Sequence, residues 1–90
     1  MKNMRSEVLL AAEAHFVGHI EKHRANAEIL ATNAAGVGNN GDILEELEKE
    51  LAEVADYHDK LETLYVYMGL AEVQREEGRA PLLHDPRKQG

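Results

Sequence analysis

Leu44, Leu47, Leu51, Val54, His58, Leu61, Tyr65 and Met68 are separated alternately by three and four residues, the spacing that keeps a stripe on one side of an α-helix. A strand would throw alternate residues to opposite faces and scatter this stripe. The second half of the chain is therefore constrained to a long helix whose stripe must meet another helix. The pattern is a coiled-coil seam with one histidine, His58, inside it.

The first half supplies the second helix. From Ser6 to Ala35 there is no proline, a single glycine (Gly18) and a high content of alanine and other good helix formers, so the spacing predicts a helix over about 6–35 capped by Asn3 or Ser6. Gly36-Val37-Gly38-Asn39-Asn40-Gly41 then supplies residues that tolerate positive φ, and is read as a loop over 36–41. Asp42 followed by Glu45 resembles a capping box and marks the start of a helix over about 42–77. The stripe fails after Met68, and Gly69 sits at the change. A bend in a continuing helix is expected there, the alternative being a short third helix ending near Gly78. Residues 1–78 thus form one helical hairpin, and 79–90, with Pro81 and Pro86, an irregular tail that Leu82 and Leu83 dock.

An antiparallel hairpin with so short a loop places opposite one another residues whose numbers add to about 77. Leu9 then faces Met68, Phe16 faces Leu61 and Leu30 faces Leu47, while His19 faces His58 and His23 faces Val54. His15, His19 and His23 recur every four residues, so two neighbours of the row can share one ligand. His19, His23 and His58, with an oxygen from Asp59 or Glu62 (or Glu13), form a candidate site for a divalent metal: zinc, or iron or manganese with more oxygen ligands. The alternative is a layer of neutral core histidines that fixes helix register. Neutral buried histidines must charge on acidification, so assembly is expected to weaken near pH 5 to 6.

Composition narrows the function classes. Alanine makes helix but little buried area, and aromatics are only 4% of the 90 residues, so one hairpin has a thin core and self-association is expected. Tyr57, Leu64 and Ala71 on one side, and Leu10, Ala14, Val17 and Gly18 on the other, extend the apolar surface toward a homodimer forming a four-helix bundle. A net charge of −7 disfavours nucleic acid and anionic membranes. The absence of cysteine removes disulfides and thiolate chemistry and fits a cytoplasmic protein. The apolar patch Val8–Ala12 is too short to span a bilayer.

No nucleophile motif appears, and Gly36-x-Gly38-x-x-Gly41 follows a helix rather than a strand, which makes it a turn and not a nucleotide loop. Glu46, Glu50, Glu53 and Asp56 fall at helical spacings. Glu53-x-x-Asp56 resembles half of the acidic pattern of all-α nucleotide pyrophosphohydrolases of the MazG type, which implies a magnesium site. The resemblance covers one helical turn, and helix one has no Glu-x-x-Glu pair to complete it. The sequence as a whole points to a small acidic all-α module for self-association or scaffolding with a further protein partner, and the metal-binding bundle is the alternative.

Overall fold

The computed structural model describes residues 3–33 and 40–84, and the described part is all-α: α1 (Met4–Asn33), α2 (Asn40–Met68) and α3 (Leu70–Glu76). Asn3 opens α1 as its N-cap, its Oδ1 accepting the Arg5 N–H at 2.9 Å. Most of the Gly/Asn loop, residues 36–39, lies outside the described residues, as does the end of the tail from 85. α2 begins at Asn40, which puts Asp42 inside its first turn, where the helix dipole favours an acid.

α1 and α2 pack as the antiparallel hairpin that the two stripes require. Arg5 Nη2 donates to the Met68 carbonyl at 2.8 Å, the Phe16 and Tyr57 rings lie 6.2 Å apart, and His23 meets Glu50. These pairs add to 73, four below the expected sum, while Asn26 with Glu50 and His19 with Tyr57 add to 76, and α2 is rotated about its own axis. Its inward line is Leu47, Glu50, Val54, Tyr57, Leu61 and Leu64, whereas Leu44, Leu51 and His58 are exposed. The expected pairing of His19 with His58 gives way to His19 with Tyr57.

A second difference lies at Gly69. The helix does not bend there but stops: Gly69 adopts φ 66° and ψ 38°, a left-handed conformation that costs an L side chain dearly and glycine little. The Val73 N–H then bonds the Gly69 carbonyl at 3.2 Å, restarting the helix as α3. Gly78, with φ 66°, ends α3 in a Schellman motif, in which Arg79 N–H reaches the Gln74 carbonyl at 2.8 Å and Gly78 N–H the Arg75 carbonyl at 3.2 Å. α3 folds back beside the hairpin, since Met68 lies by Arg5 while Gln74 reaches Glu13 and Tyr65.

α2 thus has two neighbours at its far end. α1 takes the side carrying Tyr57 and Leu64, and α3 takes Tyr65. The core is Leu9, Val17 and Ile20 of α1, Leu61, Leu64 and Tyr65 of α2, and Leu70 and Val73 of α3, with Leu10, Tyr57, Ala71 and Leu83 packed against it. Leu70, at 0% exposure, and Leu61, at 1%, are its centre, and each contributes about 1.5–3 kcal/mol by leaving water. The flank assigned from sequence to a dimer partner is therefore largely filled from within the chain. Beyond Ile20, toward the loop, Ala27 is the one buried apolar residue of α1 among the described residues.

Candidate functional site

The three histidines of α1 meet α2 in one aromatic layer. Their spacing of four residues brings them round to nearly the same side of the helix, and Tyr57 is the α2 residue they share. The His19 ring stacks on Tyr57 at 4.3 Å between centroids and 7° between planes. His15 stands edge-on to His19 at 4.6 Å, and His23 lies parallel to Tyr57 at 6.4 Å. Lys60 Nζ sits 4.5 Å from the Tyr57 ring centre, a cation–π contact, and bonds Asp56 at 2.8 Å. That hydrogen bond raises the Lys60 pKa.

Glu50 anchors the layer on the loop side. Its Oε1 accepts from His23 Nδ1 at 2.8 Å and from Asn26 Nδ2 at 3.0 Å. These two bonds, the histidine first, hold the Glu50 carboxyl below its ordinary range. An ionised carboxylate only accepts, so His23 carries its proton on Nδ1. His23 Nε2 lies 3.9 Å from Glu53 Oε2.

His19 is different. Its Nδ1 is buried with no hydrogen-bond partner, and desolvation, followed by the neighbouring charges of His15, Lys22 and His23, lowers its pKa below 6.5, with Glu53 opposing. The stacked imidazole is consequently held neutral at physiological pH. The layer joins α1 to α2 through the one ring, Tyr57, that all three histidines approach.

The structure divides the residues proposed as metal ligands. His19 and His23 are half-buried in the layer, whereas His58 and Asp59 are exposed and Glu62 half-exposed. Tyr57 and His58 are consecutive and so point about 100° apart. Among the described residues, no group of three or more His, Cys, Asp or Glu side chains is arranged to hold a metal ion. In the acidic row of α2, Glu46 pairs with Lys49, Glu50 with His23 and Asn26, and Asp56 with Lys60, while Glu53 stands half-exposed beside His23.

A second polar cluster was not expected from sequence. Glu13, only 3% exposed, accepts from Gln74 Nε2 at 2.9 Å and from the Leu82 N–H at 3.0 Å, and Gln74 Nε2 also donates to the Tyr65 hydroxyl at 2.9 Å. One carboxylate thereby ties α1 to α3 and to the start of the tail. Its position was visible in principle, since Glu13 falls in the buried line Ser6, Leu9, Glu13, Val17 and Ile20, but its partners come from segments whose folding back the sequence does not dictate. No family model, curated protein or solved structure matches the chain. No described helix is long and apolar enough to cross a membrane.

Proposed function

We propose that this protein is a self-associating helical interaction module in which a second copy packs along the line Leu44, Leu51 and His58 of α2. The supporting observation is the incomplete cover of one heptad line. Positions 44, 51, 58 and 65 recur every seven residues and run in one row along the helix. α3 reaches only the last of them: Tyr65 is 3% exposed, while Leu44 and Leu51 remain 64% and 51% exposed. A seven-residue α3 is too short to complete a three-helix bundle along a 29-residue α2.

Charge favours one pairing. α2 carries nine acidic and two basic side chains, equal to the net −7 of the whole chain, whereas α1 carries four acidic and three basic ones. Packing α2 against the partner's α2 would oppose two strongly acidic faces. Packing it against the partner's α1 avoids this and gives an antiparallel four-helix bundle. The module's role is then recognition, with no reaction assigned to it.

Light scattering on a sizing column tests the reading. The unaltered protein is expected to be a dimer or larger, with or without chelator, and Leu51→Lys is expected to weaken association at least tenfold, about 1.4 kcal/mol. The monomer's own stability should move by no more than about 0.5 kcal/mol, because the site is exposed.

A further inference from the structure

We propose that Gly69 is an exchange hinge, and that straightening it lets two copies swap α3, each placing Leu70, Val73 and Gln74 in the other's groove. The partner is again a second copy of this chain. The surface is distinct from the Leu44–Leu51 line, so the exchange goes beyond the reading above and does not depend on it.

Three observations carry it. First, α2 and α3 are separated by a single residue, and the only backbone feature that parts them is the left-handed Gly69, at φ 66° and ψ 38°. From Leu61 to Gln74 there is no proline and no second glycine, so a right-handed Gly69 would leave one continuous helix from Asn40 to Glu76, about 55 Å long. Second, α3 has a large stake in the groove for its length: Leu70, Val73 and Gln74 are 0%, 2% and 4% exposed. If the helix straightened in an isolated chain, these residues and their places under Leu61 and Tyr65 would be opened together. A second straightened copy refills both sets with the same contacts, which is why one-residue hinges favour exchange.

Third, the directions are compatible. α3 runs back along the hairpin, from Met68 beside Arg5 to Gln74 beside Glu13. A straightened chain carries α3 onward in the direction of its own α2. It enters the partner's groove in the same orientation only if the two α2 helices are antiparallel, which a two-fold axis near Gly69 provides. The buried carboxylate of Glu13 would then accept from the partner copy's Gln74 in place of its own. The dimer would be elongated, its long axis well beyond the 57 Å of the single chain.

Backbone preference sets the expected size. Alanine favours a helix interior over glycine by roughly fivefold in equilibrium constant, so Gly69→Ala in both chains favours the exchanged dimer about 25-fold before the left-handed strain of the closed form is counted. A Cβ at Gly69 meets only the mobile Glu72 carboxylate, at 3.2 Å, so conformation and not space decides the effect.

The experiment places Gly69→Ala in the Leu51→Lys background, where the other contact is disabled, and mixes 13C,15N-labelled with unlabelled chains after joint unfolding and refolding. Isotope-filtered NMR then asks whether the labelled Gln74 side-chain amide sees a Tyr65 ring on an unlabelled chain. The expected result is a dimer with that cross-chain signal, while Gly69→Asn, which tolerates the left-handed conformation, stays monomeric. A monomeric Gly69→Ala chain, a dimer without the cross-chain signal, or a chain that loses helicity without dimerising would each overturn the proposal. Failure of the Leu44–Leu51 contact alone would show instead as a monomeric unaltered protein.

Discussion

His19 and Glu13 show how differently two inward-facing polar residues contribute. His19 gives a stacking surface to Tyr57 but leaves its Nδ1 unpartnered, and its pKa in the fold is below 6.5. A group with a lowered folded pKa gives its full stability above the unfolded value and loses it as pH falls through that value and on to the folded one. Thermal melts should therefore fall between pH 7.5 and 5.5. Replacing His19 by Phe keeps a ring on Tyr57 and should remove most of that difference, and an unaltered melt of the natural chain across the interval would refute the assignment. Glu50, also lowered, adds a loss only below 4.5. Glu13 accepts from the Gln74 amide and the Leu82 N–H, so Glu13→Ala removes the acceptor of both, leaves Gln74 only its bond to the Tyr65 hydroxyl, and should cost about 1–3 kcal/mol by chemical denaturation. Gly18 is the opposite case. It lies mid-helix, and a Cβ there meets nothing within 4 Å, so Gly18→Ala should raise stability by about 0.5–1 kcal/mol in the same assay.

At the level of the helices, the apolar period reveals two helices with stripes that need a partner, and the short connection between them suggests the antiparallel sense. It does not reveal how α2 is turned. The stripe containing Leu51 and His58 and the neighbouring line containing Glu50 and Tyr57 share Leu47, Val54 and Leu61, and either can face α1. What selects the second is outside the stripe: Glu50 offers an acceptor to His23 and Asn26, Tyr57 offers a face to His19, and α3 claims Tyr65. The break at Gly69 is visible as a glycine, yet a bend and a full stop have the same residue signature, and α3 buries too few residues to announce its own destination. The candidate metal site follows the same logic. Its α1 half, His19 and His23, depends only on periodicity and is found side by side, whereas its α2 half depended on the rotation and falls elsewhere.

Across the whole molecule, packing is uneven. The end where three helices meet holds the buried cluster, and the loop end holds a two-helix layer of His23, Asn26, Leu30, Leu47 and Glu50 with Leu44, Leu51 and Ile29 exposed. Since α2 carries the entire net charge of −7, copies repel at long range before they touch. Raising salt from about 10 mM to about 0.15 M, which shortens the screening length from roughly 30 to 8 Å, should therefore strengthen self-association, whereas binding of a basic partner would weaken over the same range. The most direct test of the self-association reading is the mass of the unaltered protein by light scattering across a concentration series at about 0.15 M salt. A rise to a dimer or larger species that Leu51→Lys abolishes is predicted; a monomer at every concentration, or a dimer indifferent to Leu51→Lys, would contradict it.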